Sequence, residues 1–378
     1  MSLSRDEVIS QIHSALATVS DPELHRPLPD LGMVESVNFD SGLANIKILL
    51  TISGCPMRDK LKSDVTSAVS NVAGVEKVEL EFGVMNEAQR DNVKKLLRGG
   101  REKFIPFAQP DSLTRVWAIS SGKGGVGKSS VTVNLAAALS KRGFKVGVLD
   151  ADVYGHSIPR LLGIEGQRPT AIDQTFIPVE TNGIKVVSIE MFKPDRADPV
   201  AYRGPLLHRV LEQLLSDAYW GDLDFLLLDL PPGTGDIAIS LGQLIPASEI
   251  IVVTTPQIAA AEVAERAGRI AHQLKQHVIG VIENMSAYTD PVSGAQVALF
   301  GQGGGQETAE RLSQLVGVDV PLLAQISFDI KLREGGDEGS PIVFRDPESD
   351  AAKGFFAIVD QLTKRKKSLL GVPLGVAT

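Results

Sequence analysis

The sequence predicts an α/β protein: a doubly wound, mostly parallel sheet of the P-loop NTPase type, preceded by a small domain ordered α-β-β-α-β. Three observations carry this expectation. After Thr114, continuous apolar runs alternate with amphipathic helical stretches, the signature of strands buried on both faces and joined by crossover helices. Gly122–Ser129 reads G-x-x-x-x-G-K-S between one such strand and a helix, the context that a phosphate-binding loop requires. In residues 1–85 the apolar positions alternate instead of running on, as in strands with one wet face.

The elements follow in order. In MSLSRDEVISQIHSAL and the residues after it, Val8, Ile12, Leu16 and Val19 recur at helical spacing. A proline-rich loop, DPELHRPLPDLG, comes next. In LANIKILLTI, Ile46, Ile48, Leu50 and Ile52 share a face; GCPMRDKLKSDVTSAVSNV reads as a turn and a helix; GVEKVELEF alternates through Val78, Leu80 and Phe82. Residues 86–113 mix charge, paired glycines and two prolines, and read as a linker that starts helical. Residues 114–368 form the large domain, with strands at RVWAIS, KVGVLDAD, IKVVSIEMF, DFLLLDLPPG, EIIVVTTP and VIGVIENM. Leu206, Leu207, Val210, Leu211, Leu214 and Leu215 read as a buried helix stripe. GQGGGQETAERL reads as a flexible loop capping a helix, and residues 369–378 as a tail.

Composition narrows the function classes. The 378 residues carry a net charge of −8 and only 5% aromatics, which argues against a nucleic-acid surface built from a basic stripe and stacking rings. No apolar run reaches the roughly 18 residues of a membrane span, and the N-terminus lacks a signal-peptide apolar core; both predict a cytoplasmic protein. In the basic tail after Lys364, Gly371, Pro373 and Gly375 interrupt any amphipathic helix, which argues against membrane binding. The six histidines show no metal spacing, and Cys55 is the single cysteine. The chain therefore has no intrachain disulfide and no multi-cysteine metal site.

The loop explains most of its own chemistry. Backbone N–H groups of Gly122, Lys123, Gly124, Gly125, Val126, Gly127, Lys128, Ser129 and Ser130 can turn onto phosphate oxygens, helped by the helix N-terminus. Lys128 reaches the outer phosphates and the Ser129 hydroxyl takes a magnesium site. Asp229 ends the buried strand LLLD, which points it into the same crevice; a structural aspartate cap is the alternative. Asp150 and Asp152 end another strand. A bend after Asp150 would bring both to the phosphates, one on a magnesium water and one on the attacking water; helix capping or turn formation by one of them is the alternative.

Together KGGVGKS, LDADVYGHSIP, LLLDLPPGTGD, VTTPQ, IENMS and FGQGGG resemble the MinD/Mrp/ParA deviant P-loop ATPases, and within them the Mrp (ApbC) branch of iron–sulfur cluster carriers. The DPE at Asp21–Glu23 and TISGCP at Thr51–Pro56 resemble the small PaaD-like domain fused ahead of Mrp. The resemblance implies ATP and magnesium as cofactors, a homodimer, and apo-iron–sulfur proteins as clients. It implies that Lys123 is the signature lysine, reaching across the dimer onto the partner's phosphates. It makes Asp152 the water-positioning residue, Asp150 a magnesium group acting through water, and Asn284 a contact to the adenine edge.

One part of the pattern is missing. Most Mrp-type carriers have C-x-x-C shortly after ENMS, and here the corresponding positions are at about Asp290 and Ser293. Neither is a soft ligand for cluster iron. Cys55 has two readings, a small buried residue or a thiol activated ahead of a helix. Two Cys55 thiolates in a dimer fall short of the four a cluster takes. An iron–sulfur carrier that draws on other ligands, and a nucleotide-gated switch for protein or membrane partners without a cluster, are the two functions left.

Overall fold

The computed structural model describes residues 4–52, 57–97, 104–152, 155, 157–172, 175–193, 204–233, 236–257, 268–290 and 292–364. The chain divides into two compact units: Met1–Phe104 with Thr170–Ile177, and Ile105–Pro169 with Pro178–Thr378.

The first unit runs α1 (Arg5–Ala17), β1 (Val34–Asp40), β2 (Leu43–Leu50), α2 (Arg58–Ser70), β3 (Lys77–Val84) and α3 (Glu87–Leu97). Ser4 starts α1 with a reciprocal capping box: Glu7 N donates to Ser4 Oγ at 3.3 Å and Ser4 N donates to Glu7 Oε2 at 2.7 Å. The sheet order is β1-β2-β3, with β1 antiparallel and β3 parallel to β2. Val8, Ile12 and Leu16 of α1, Leu61, Val65 and Val69 of α2, and Ile46 and Ile48 of β2 are buried. Val78, Leu80 and Phe82 alternate as expected but are only half-buried, because β3 is an edge strand. Cys55 lies outside the described residues.

In the second unit come β4 (Arg115–Ser121), α4 (Lys128–Lys141), β5 (Val146–Asp150) and α5 (Ile158–Leu161). The chain then forms the antiparallel hairpin β6 (Thr170–Ile172) and β7 (Thr175–Ile177), which groups with the first unit. It returns through β8 (Val179–Thr181), β9 (Ile184–Ser188), α6 (Gly204–Ser216), β10 (Phe225–Asp229), α7 (Asp236–Leu244), β11 (Glu249–Thr254) and β12 (His277–Asn284). The small hairpin β13 (Tyr288–Thr289) and β14 (Gln296–Val297) precedes α8 (Gly304–Val316), β15 (Leu322–Ile326), α9 (Ile330–Asp337), α10 (Ile342–Arg345) and α11 (Asp350–Thr363).

Among the described residues the large sheet has eight strands in the order β15-β12-β11-β4-β10-β5-β9-β8. Every neighbouring pair is parallel except β8 against β9. All residues of β4, β5, β10 and β11 are buried, which is why they read as unbroken apolar runs. In α4, Val131, Leu135, Ala138 and Leu139 are fully covered. The stripe expected on α6 needs two corrections. Leu207, Leu211, Leu214 and Leu215 are buried, but Leu206 is 48% exposed and Val210 only half-buried, because both fall outside the i, i+4, i+7 and i+8 face that Leu207 begins. No described helix is long and apolar enough to cross a membrane.

A buried ion pair holds the bottom of the sheet. Arg115 at the start of β4 donates to Glu249 Oε2 at the start of β11 through Nε at 3.0 Å and through its terminal nitrogen at 2.8 Å. Its other terminal nitrogen donates to Leu362 O at 2.7 Å, tying down the last turn of α11. Trp117 Nε1 donates to the same Glu249 oxygen at 3.0 Å. Removing one partner of such a pair leaves a buried charge without its counter-charge, at a cost of about 3–5 kcal/mol. Glu249→Ala is therefore expected to lower unfolding free energy by about that amount in urea titrations; a loss below about 1 kcal/mol, the scale of a surface pair, contradicts this account.

Candidate functional site

The crossover pattern brings the C-terminal ends of β4, β10, β5 and β9 side by side. In the parallel ladders Asp229 lies level with Asp150, and Asp150 level with Ser188. Residues level across parallel strands point to the same face, so two carboxylates share one side of the sheet. Both are buried, at 0% and 1% exposure. Like charges this close oppose joint ionisation, and the cluster needs a cation.

Lys128 supplies it. It opens α4 directly after the glycine loop and is 5% exposed. Its Nζ lies 2.8 Å from Asp229 Oδ2 and 3.9 Å from Asp152 Oδ2. Asp229 is held from two further sides: Ser129 Oγ donates to Oδ2 at 2.6 Å and Thr132 Oγ1 donates to Oδ1 at 2.7 Å. Ser188 Oγ donates to Asp150 Oδ2 at 3.1 Å. Burial, with Asp229 beside it, pushes the Asp150 carboxyl up to about 8, against the opposite pull of Lys128.

The chain leaves β5 at Asp150 and bends. Asp152 N donates to Asp150 Oδ1 at 3.2 Å, and Asp152 reaches the same lysine instead of pointing to the other face. Asp152 Oδ1 also accepts from Gly155 N at 2.9 Å, so the turn-forming alternative is realised together with the convergence.

The loop itself is shaped by glycine and by Asn284. Gly127 has φ +78°, and a Cβ there would lie 2.3 Å from Asn284 Nδ2. That amide donates to Val126 O at 2.9 Å. Asn284 at the end of β12 is thus a strut beneath the loop, and one N–H of its amide is already committed to the backbone. Lys123 stands away from the buried cluster, with Nζ donating to Gln257 Oε1 at 2.7 Å.

Two structural details correct or extend the sequence reading. GQGGGQETAERL divides in two: Gly301–Gly303 are exposed loop ending in the N-cap of α8, as expected, but Gly304 already begins the helix, and Gly304 and Gly305 are buried. A Cβ on Gly305 would lie 2.6 Å from Glu283 Cβ, and Gly305 N donates to Glu283 Oε2 at 2.7 Å, so a carboxylate caps the helix. Glu283 Oε1 also accepts from Gln325 Nε2 at 2.8 Å, which joins IENMS, FGQGGG and β15 at one residue. Asp290 and Ser293 close the β13–β14 hairpin: Asp290 Oδ1 accepts from Ser293 N at 2.7 Å, Ser293 Oγ at 2.9 Å and Val292 N at 3.0 Å. The Ser293 backbone bond is the largest influence holding this carboxyl below its ordinary range.

Sequence reasoning missed Thr132, Ser188, Gln257 and Glu283. Thr132 had a signal, since it sits one helical turn after Lys128 and Ser129 on the loop-facing side. Ser188 had none, because its place beside Asp150 depends on strand order.

A family model described as NUBPL iron-transfer P-loop NTPase matches residues 112–363, and one described as iron-sulfur cluster assembly protein matches residues 9–80. An iron-sulfur cluster carrier protein of Mycobacterium tuberculosis is 53% identical, covering 100% of this chain and 99% of its own length. The protein so described from Deinococcus radiodurans is 40% identical, covering 92% and 93%. Among solved structures, a nucleotide-binding protein of Archaeoglobus fulgidus in complex with ADP is 33% identical with a TM-score of 0.53, covering 66% of this chain and 97% of that one.

Thr132 gives the geometry a direct test. Thr132→Val keeps the side-chain shape and removes the donor to Asp229, a hydrogen bond to a charged group worth about 1.5–3 kcal/mol. The expected result is a folded protein, destabilised by about that amount in denaturant titrations, with lower magnesium-dependent nucleotide affinity. Unchanged stability and affinity would remove Thr132 from the site.

Proposed function

Because the chain belongs to the NUBPL iron-transfer P-loop NTPase family, we propose that it is a dimeric, slowly turning, magnesium-dependent ATP hydrolase that assists iron–sulfur cluster assembly or transfer to apo-proteins. The observation that carries the nucleotide part is Lys128, buried beneath a glycine loop and 2.8 Å from Asp229. An ammonium held there can exchange a carboxylate for a phosphate without leaving the site.

The donor set suits magnesium. Ser129 Oγ and the carboxylates of Asp229 and Asp150 are hard oxygen ligands, and Mg²⁺ keeps several waters rather than demanding a protein cage. Ser129 would bind it directly, with Asp229 and Asp150 acting through water. When bound, the ion neutralises charge on the outer phosphates. The chain's own residues do the remaining work. The N–H groups of residues 122–130 cradle phosphate oxygens, and Lys128 holds the outer phosphates. Asp152 orients the attacking water. Asn284 offers its uncommitted amide positions to the adenine edge. Lys123 crosses to the partner's phosphates as a charge supplied in trans.

The iron–sulfur cluster is cargo in this reading. Cys55 is the only thiol of the chain, so a partner or client supplies the remaining soft ligands. One observation favours a second reading, a nucleotide-gated switch without a cluster: the Asp290–Ser293 turn is a closed set of hard oxygen atoms.

Lys128→Ala should abolish tight ATP binding, and Asp152→Ala should retain binding but lose turnover by about 10²-fold or more. Lys123→Ala should lower ATP-dependent dimerisation and hydrolysis, the latter on the order of 10³-fold, with little change in affinity. Hydrolysis measured against protein concentration, with light scattering, checks all three; wild-type turnover in these variants contradicts the assignment.

Cluster chemistry is tested separately, by anaerobic reconstitution of wild type and Cys55→Ser. The variant should lose iron content, visible absorbance and client activation while hydrolysing ATP normally. Equal cluster in both proteins would place the iron elsewhere; no cluster and no client activation in either would favour the switch.

A further inference from the structure

The Asp21–Glu23 motif takes no part in the nucleotide site, yet the first unit gives its two acids different tasks. Asp21 is 5% exposed, and its Oδ1 accepts from Glu23 N at 2.9 Å and Leu24 N at 2.8 Å. Asp21 therefore builds the turn. The Glu23 side chain is used elsewhere: its Oε1 accepts from Thr170 Oγ1 at 2.7 Å.

Thr170 is the first residue of the β6–β7 hairpin, which groups with the first unit although the chain on both sides of it belongs to the second. A two-stranded hairpin alone is marginal in water. Here Ile172, Thr175, Ile177 and Phe176 are all at least nine-tenths covered, so the hairpin draws on packing beyond its own two strands. The first unit is thus joined to the second by three covalent crossings, after residues 104, 169 and 177, and not by a single linker.

On both sides of the excursion the chain runs on, through α5 upstream and β8 downstream, to residues that touch the nucleotide aspartates. Upstream, the chain departs from β5 through Asp150 and Asp152, and Asp152 faces Lys128. Downstream, β7 leads through β8 into β9, whose last residue, Ser188, donates to Asp150 Oδ2 at 3.1 Å. Phosphates bound by Lys128 compete for the same ammonium that faces Asp152 and Asp229. A shift in those partners would be felt where the chain leaves β5 and where β9 ends, the two stretches that flank the segment carrying the hairpin.

We propose that Glu23 is a positioning residue that clamps this hairpin to the first unit through Thr170, so that nucleotide binding at Lys128 and Asp152 is transmitted to the unit that carries Cys55. This rests on the nucleotide site assigned above. It gives the acidic motif a task distinct from metal or cluster binding: Asp21 shapes the turn, and Glu23 holds the segment that reports nucleotide state.

Hydrogen–deuterium exchange on the full chain tests it, without nucleotide and with saturating ADP or a non-hydrolysable ATP analogue plus magnesium. Binding of a fluorescent ADP is measured on the same preparations. In wild type, nucleotide should change exchange at least twofold both in residues 170–177 and in residues 19–31. Thr170→Val and Glu23→Ala should keep nucleotide affinity and the response of 170–177 but lose that of 19–31. Glu23→Gln retains the acceptor oxygen and should keep both responses, which a purely electrostatic role would not reproduce. Bound nucleotide with no wild-type response in 19–31, or a full response in Glu23→Ala and Thr170→Val, overturns the proposal alone. Failure of wild type to bind nucleotide overturns the site assignment and this proposal together.

Discussion

The large unit is organised around a charge problem. Asp229 and Asp150 stand level on adjacent parallel strands, both buried, and the arrangement is eased by Lys128, which comes to 2.8 Å of Asp229, and by the upward push on the Asp150 carboxyl. The position of Lys128 is fixed in turn by the start of α4, and that helix is fixed by its covered apolar residues against the sheet. Loop, helix and strand ends thus form one electrostatic unit. The same low-dielectric surroundings that make the carboxylates costly to bury strengthen the pull of the lysine on any phosphate that reaches it.

Around this centre, neutral donors do the aiming. Ser129 and Thr132 fix the two oxygens of Asp229, and Ser188 fixes one of Asp150. Each carboxylate thereby has a set orientation before a ligand arrives, which is how preorganised sites avoid the cost of rearranging during reaction. Asn284 does comparable work for the loop backbone, and Glu283 for the start of α8. IENMS and FGQGGG, on either side of the β13–β14 hairpin, are two sides of one joint.

The hairpin β13–β14 carries hard oxygen atoms at the positions that the resemblance assigns to a cysteine pair. Where soft thiolates are expected from the resemblance, Asp290 receives three hydrogen bonds from Val292 and Ser293. These oxygens satisfy a turn, and a turn satisfied internally has little to offer iron. The reading of cluster cargo therefore leans on Cys55 and on ligands brought by a partner, while the nucleotide chemistry stands on residues within the chain.

The sequence by itself determined the local elements and the identity of the phosphate loop. Unbroken apolar runs can only be satisfied by strands covered on both faces, and a glycine loop ending in Lys-Ser before a helix has one common use, so β4, β5, β10 and α4 were legible along with Lys128, Ser129 and Asp229. Periodicity was less reliable where a stripe was broad, as at Leu206, and where glycines suggested flexibility, as at Gly304 and Gly305, because neither pattern reports what packs opposite. Only the tertiary structure decided which strand ends are neighbours. Strand order, which the local sequence does not encode, placed Ser188 beside Asp150, Gln257 at Lys123 and Glu283 at the head of α8. Each of these contacts joins residues distant in the chain, and such contacts exist only once the whole sheet has closed around its buried charges.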